Sequence, residues 1–399
     1  MAATTLSVFL VPMTDQFGWS RGAFAGALSL GGLCAVAISP LVGRWIDRYG
    51  SGVVLSVTNA ITGACGAGLS LVGPLWAFYA LYVPGRGVFA GPLELATSAA
   101  VSTWFIKRRA LALAIFGATQ GTGVGAMPLV AQAIIGIWGW RTAWASLGLY
   151  TLAIGVIPSL LIVRRPEDMG LAGDGAPGGK DLETVESSSP DPGGVVLAAG
   201  DFTVRQALRT RSFWVLAIFS AAGFLVQGGV VLHQVPHYIS QGLPASSAAW
   251  MAGTFAVSQV FGGIFWASLT SRVSVRFLLA ATGFCVALGG WGTGASGTLA
   301  WGLAAATVLG AGVGGMHLLL RLTWANYYGR SSFASIRGIT LPFQLGGQLI
   351  GPIISGFMYD ATLSYRAAFF MFSAAAALAS FMVMTATPPK KPVDATESA

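Results

Sequence analysis

Glu94 lies in GPLELATSAAVSTWFIKRR, residues 91–109, ahead of a basic cluster of Lys107, Arg108 and Arg109. It is the only acidic residue of the chain inside a hydrophobic segment. A carboxylate there is costly unless it faces protein or water, which makes it a candidate for proton transfer or gating. Arg86 and Arg321 also fall within apolar runs and are candidates to meet an anion. His317, His233 and His237 are side chains that take up protons near neutral pH. Gln120, Gln227, Gln234 and Gln344 add neutral hydrogen-bonding groups in similar surroundings. The i, i+4 spacing of His233 and His237 suits metal chelation, but no third ligand is visible, so they read as histidines facing an aqueous vestibule. No metal site and no cofactor are expected. GTGVGA (121–126) and GAGVGG (310–315) resemble phosphate loops, but neither follows a strand and both lie inside apolar runs. No Ser-His-Asp set or ATP-binding motif is present in the sequence, which points to an ion gradient or exchange as the energy source.

The elements that carry these residues are membrane spans. The chain is 54% hydrophobic and 9% charged, with mean hydropathy +0.71, whereas soluble domains carry about 25% charged residues. The composition therefore points to an all-α polytopic membrane protein, and with no catalytic motif an enzyme is not expected. The 55 glycines sit inside apolar runs, where small residues let helix backbones approach. The net charge of +8 suits anionic lipid headgroups rather than nucleic acid. Cys34, Cys65 and Cys285 read as buried free thiols, and the N-terminus lacks the pattern of a cleavable signal peptide.

Runs long enough to span, about 20 residues each, fall near 22–43, 53–72, 75–104, 110–137 and 141–163. They resume near 213–235, 246–270, 277–295, 298–324, 335–358 and 365–386. This predicts an N-terminal bundle over 1–163, a cytoplasmic linker over 164–212, a C-terminal bundle over 213–386 and a tail over 387–399. The Pro/Gly/Ser-rich part of the linker reads as disordered and dispensable. With the linker placed inside, 17 of the 22 Lys and Arg residues fall on that side and Arg21, Arg141 and Arg366 fall opposite. The positive-inside rule then puts both termini in the cytoplasm of a cell (inner) membrane protein.

The halves repeat. An offset of 224 brings Val11-Pro12 onto Val235-Pro236, Gly18 onto Gly242, Arg48 onto Arg272, Gln120 onto Gln344 and Pro128 onto Pro352. One further residue of shift aligns Trp140-Arg141 with Tyr365-Arg366. Duplication into two parallel six-helix halves explains this spacing. The same offset implies that the first span lacks its cytoplasmic half in this chain.

GRWIDRYG (43–50) joins the second and third spans. Gly43, Asp47, Arg48 and Gly50 match the loop signature of the major facilitator superfamily, which the chain resembles. Ser51 and Gly52 stand where that signature has two basic residues. The stretches PMTDQFGWSRGAF (12–24), GWR (139–141), RRPEDMGL (164–171) and FTVRQALRTRSFW (202–214) are similar to the oxalate/formate antiporter and monocarboxylate porter branch. The resemblance implies two pseudo-symmetric six-helix bundles whose first, fourth, seventh and tenth spans line a central cavity. Arg86 and Glu94 would lie on the fourth, Gln227, His233, Gln234 and His237 on the seventh, and His317 and Arg321 on the tenth. It implies a gating role for Gly43, Asp47, Arg48 and Gly50. It further implies a secondary transporter of a small organic anion, a monocarboxylate by preference, with proton symport or anion exchange. Its partners would be that substrate, protons or a counter-anion, and the bilayer, with the chain as a monomer. Arg321 or Arg86 would meet the anion, and Glu94 or a histidine would take the proton. That branch commonly carries a cation in the eighth or eleventh span, yet neither 246–270 nor 338–358 contains Lys or Arg. Efflux of amphiphilic compounds and a non-transporting sensor are the alternatives. Counted back from Trp104 and Trp324, Arg321 would lie about 10 Å shallower than Glu94, so a direct pair needs a helix shift or a bridging water.

Overall fold

The computed structural model of the protein describes residues 3–106, 108–169, 202–329 and 331–390, and all of its regular structure is helical. Lys107, Arg330, most of the acidic Pro/Gly-rich stretch and the end of the tail lie outside the described residues. Helix α1 (Ala3–Phe17) ends at Gly18 (φ +68°), and Ser20 caps α2 (Arg21–Tyr49) by accepting the Ala23 N–H. Gly50 (φ +89°) then separates α2 from α3 (Ser51–Leu69) with no further loop, a left-handed conformation that glycine adopts without penalty. Helix α4 (Leu75–Val88) widens into a π-turn over Phe89–Leu93 and continues as α5 (Glu94–Trp104). Pro92 lies in that turn, where it withholds the N–H that would bond one turn back. Helix α6 (Arg109–Tyr150) breaks direction at Gly139 (φ +82°) and passes through a π-turn, Thr151–Val156, into α7 (Ile157–Leu160).

After α8 (Val204–Leu208), capped reciprocally by Thr203 and Gln206, come α9 (Arg211–Ser240), α10 (Ala245–Leu269), α11 (Val275–Gly294) and α12 (Leu299–Tyr328). The chain closes with α13 (Phe333–Thr362) and α14 (Arg366–Val383). Among the described residues, 8 helical stretches are long and apolar enough to cross a membrane. One of them, Arg109–Leu160, is folded at Gly139 into two arms. With α1, α4–α5 and α13 they make about twelve crossings. The large apolar side chains left exposed, such as Leu71, Trp76, Leu129 and Trp250, suit contact with lipid tails.

The chain forms two bundles. The first comprises Met1–Ile106, Thr119–Gly175 and Phe333–Pro342. Its core is aromatic: Phe9 stacks on Trp144 at 4.2 Å and Phe24 on Phe78 at 4.9 Å. The Gly-Trp-Arg stretch at the bend of α6 ties helix ends together. There Trp140 Nε1 donates to Gln16 at 2.6 Å, and Arg141 donates to the Ser70 carbonyl at 2.7 Å.

The second bundle comprises Lys107–Ala118, Ala176–Ser332 and Phe343–Ala399. Its core is aliphatic and aromatic, with Val226, Val286, Leu309, Val313, Phe369 and Phe372 at its centre. Gly347, Gly351 and Ser355 form a small-residue seam. It packs on Ala221, Leu225 and Gly229 of α9, within this bundle. Close approach of α2 and α13 falls at Gly43 and Gly338, both in the first bundle.

Candidate functional site

In the first bundle the carboxylate of Glu94, at the start of α5 after the π-turn, meets Arg337 of α13. Arg337 Nη2 donates to Oε2 at 3.2 Å and to Oε1 at 3.4 Å. The guanidinium side is almost wholly buried, at 2% exposure, and the carboxylate is at 16%. Such a pair replaces hydration on both partners, and removing either one leaves an expensive buried charge. The sequence placed Arg337 at the membrane face. Helix α13 begins earlier than the apolar run, at Phe333, so Arg337 lies in its second turn. The eleventh span therefore carries a cation near its start, and Glu94 meets an arginine that the sequence had not singled out.

Within one turn of Arg337, Asp47 caps the same helix. Its Oδ1 accepts the Ala334 N–H at 3.1 Å and its Oδ2 accepts the Ser335 N–H at 2.8 Å. The first N–H groups of a helix have no intrahelical acceptor and carry the positive end of its dipole, so a carboxylate suits them twice over. Gly43 makes the approach possible, because a side chain there would run into the Ala334 backbone. A spacing of four residues puts Gly43 and Asp47 on one face of α2. Arg164 Nη2 donates to the Asp47 carbonyl at 2.7 Å and packs beside Gly50. Arg48 is not drawn into this group; it is exposed, over the Tyr49 ring.

In the second bundle, His317 and Arg321 lie one turn apart on α12. His317 Nε2 donates to Gln227 Oε1 at 2.9 Å, and the ring stacks on Phe224 at 5.0 Å. It is the only residue of α12 between Gly312 and Tyr328 that is not buried. Arg321 is 5% exposed, with its guanidinium 4.8 Å from the centre of Phe116. Arg109, expected with the basic cluster at the membrane face, is instead buried and donates to Asn326 Oδ1 at 3.0 Å. The only acidic side chain among the described residues of this bundle is Asp360, exposed in the last turns of α13.

The remaining candidates have contacts of their own. Arg86 lays its stem over Gly31 of α2, with its guanidinium 5.8 Å from the Phe89 ring. His233 Nδ1 lies 3.1 Å from the Gly229 carbonyl of its own helix, and the ring is 5.0 Å from Tyr365. His237 is fully buried against Tyr365 and Phe369. The expectation of two vestibule histidines therefore fails for His237, which the helix turns into the aromatic core. Gln234 is buried and bonds the Val231 carbonyl, Gln344 is buried, and Gln120 is exposed. Among the described residues no three His, Cys, Asp or Glu side chains are grouped to hold a metal.

The sequence model of the Major Facilitator Superfamily matches residues 1–341 and 235–399. Human monocarboxylate transporter 11 is 27% identical over 354 residues, covering 84% of this chain and 68% of its own length. The oxalate:formate antiporter of Oxalobacter formigenes is 27% identical over 244 residues, covering 60% of this chain and 52% of its own. Among solved structures, the E. coli fucose:proton symporter FucP superposes with a TM-score of 0.70 at 16% identity, covering 96% of this chain and 95% of that one. The chain is thus a carrier of small molecules across a lipid bilayer, not an enzyme, and it belongs to the Major Facilitator Superfamily.

Proposed function

We propose that this carrier moves a small organic anion, a monocarboxylate by preference, by alternating access, with proton symport or anion exchange as the energy source. The observation that carries the reading is the charge of the second bundle. Arg109 and Arg321 are both buried there, Arg321 within the apolar run of α12. A cation inside a membrane span marks a substrate or ion pathway, and its charge suits an anion. Arg321 is assigned to the substrate carboxylate, which its fork can hold through two parallel hydrogen bonds. The names of two relatives, a monocarboxylate transporter and an oxalate:formate antiporter, agree with this class.

The contacts of α13 with Asp47 and Glu94 serve in this reading as a gate. Opening it separates Arg337 from Glu94 and uncaps the start of α13. Both termini face the cytoplasm, by the distribution of Lys and Arg. The carrier works as a monomer, with its two halves joined by the linker over 164–212. Efflux of amphiphilic compounds is the competing reading, favoured by the lack of any charged side chain on α10.

Counterflow in proteoliposomes separates the two. The vesicles are preloaded in turn with formate, acetate, pyruvate, lactate, oxalate and succinate, and accumulation of the labelled anion is followed. Accumulation of at least one monocarboxylate is expected. Accumulation of none, together with export of an amphiphilic dye, would replace this reading by the other.

A further inference from the structure

Helix α8 and the start of α9 form an edge of the second bundle that separates apolar from basic side chains. Phe202 is buried on Tyr328; its N–H donates to the Tyr328 carbonyl at 3.2 Å and the rings meet edge to face at 5.5 Å. Thr210 shares a hydrogen bond with the Tyr328 hydroxyl at 2.8 Å and caps α9 by accepting the Phe213 N–H. Trp214 Nε1 donates back to the Leu208 carbonyl at 3.0 Å. The backbone is thus pinned at several points, while Arg205, Arg209 and Arg211 stand exposed along it. Pinning limits the space that the three guanidinium groups can sweep.

Beyond Arg211 the same face of α9 is apolar. Trp214 and Ile218 are exposed there, and offsets of three and seven residues keep both within about a sixth of a turn of Arg211. They lie about 5 Å and 10 Å along the axis from it, a depth that falls within one leaflet of a bilayer whose apolar core is about 30 Å thick. Charge is one-sided on this edge. No Asp or Glu occurs from Phe202 through Tyr359. Ser212 donates to the Thr387 carbonyl at 2.6 Å, just past the end of α14, whereas Asp360 precedes the start of α14. A helix of about 27 Å therefore separates Asp360 from the arginines. Asp201 and the acidic stretch before it lie outside the described residues.

We infer that Arg205, Arg209 and Arg211 form a site for the headgroup of an anionic phospholipid, whose acyl chain lies along Trp214 and Ile218. The order of side chains selects an amphiphile. A soluble phosphate would meet the arginines and gain nothing from Ile218, and a zwitterionic lipid would cover Ile218 with no net charge to offer the arginines. Guanidinium groups suit phosphate oxygens, which they hold through paired hydrogen bonds. Tryptophan suits the level between headgroup and tail, with an apolar body and one polar N–H. That N–H is already placed on Leu208, which leaves the ring face for the lipid. Basic groups beside a bilayer each add to the attraction for anionic lipid, and the pinned segment presents three of them together.

The test is native mass spectrometry of the full chain in a non-ionic detergent, with phosphatidylglycerol, phosphatidylcholine and glycerol 3-phosphate added in turn. The wild type is expected to retain phosphatidylglycerol well above phosphatidylcholine, and not to retain glycerol 3-phosphate at the same concentration. Arg205→Gln, Arg209→Gln and Arg211→Gln should each weaken retention of phosphatidylglycerol about fivefold. Trp214→Ala should weaken it as well. Arg366→Gln removes an exposed cation at the other end of α14 and should leave it unchanged. Melting temperatures, expected to match the wild type for the three exposed arginines, keep a folding defect apart from lost binding. Equal retention of the two lipids, wild-type retention in the triple arginine variant, or an equal loss in Arg366→Gln would overturn the site. So would retention of glycerol 3-phosphate as tight as that of the lipid. Retention of phosphatidylglycerol only after deletion of 172–198 would place that acidic stretch on the arginines instead, and would also overturn it.

Discussion

Asp47 accepts the backbone N–H of Ser335 at 2.8 Å, across 288 residues of sequence. The neighbouring N–H of Ala334 goes to its other oxygen, so one carboxylate closes the start of α13. Asp47→Ala should cost about 1–2 kcal/mol in the stability of this arrangement, the usual worth of a helix cap with its dipole term. Asp47→Asn should cost less, because one acceptor survives. Melting temperatures in detergent check the order; equal losses for the two would show that the charge and the second oxygen contribute nothing.

Gly43 governs the same contact by size alone. A valine there must displace the Ala334 backbone, and overpacking of this kind costs about 1–3 kcal/mol. Gly43→Val should therefore lower the melting temperature and expose a cysteine placed at Ser335 to thiol reagents, while Arg48→Ala leaves both unchanged.

Glu94 and Arg337 should behave as a coupled pair. Glu94→Gln and Arg337→Gln each remove one charge of the pair and the double substitution removes both, so the double variant should lose less than the sum of the two single losses. A cycle of the four proteins should return a coupling of about 1–3 kcal/mol. Additive losses would mean that the 3.2 Å contact carries no interaction energy.

These contacts were unevenly legible in the sequence. Gly43 and Asp47 were legible because they match a loop signature, and the apolar runs were legible as spans. Arg337 and Arg109 were misplaced for one reason: charges next to an apolar run were assigned to the membrane surface, while helices α13 and α6 begin before the run does and carry them inward. A charge count made inside a margin of one turn at each span end would have found both. Glu94 could be singled out but not its partner, since nothing local links residues 243 apart. His237 was misjudged because every face of α9 is apolar, so periodicity could not separate core from cavity.

The aromatic burial of His237 leads to a prediction about metals. His233 and His237 are spaced for chelation, but His237 packs against Phe369 at 5.2 Å and is fully buried. Added zinc should leave the melting temperature within about 1 °C, and a chelator should leave uptake unchanged. Stabilisation by zinc that disappears in His237→Phe would instead place a metal there.

The account turns on Arg321 as the group that meets the substrate. Its central measurement is the Kd of the anion best retained in counterflow, for the wild type and for Arg321→Gln at the same pH. Loss of a buried, charge-assisted contact costs about 2–5 kcal/mol, so binding should weaken about a hundredfold. Arg321→Lys, which keeps the charge but not the planar fork, should fall between the two. An unchanged Kd in Arg321→Gln would contradict the account.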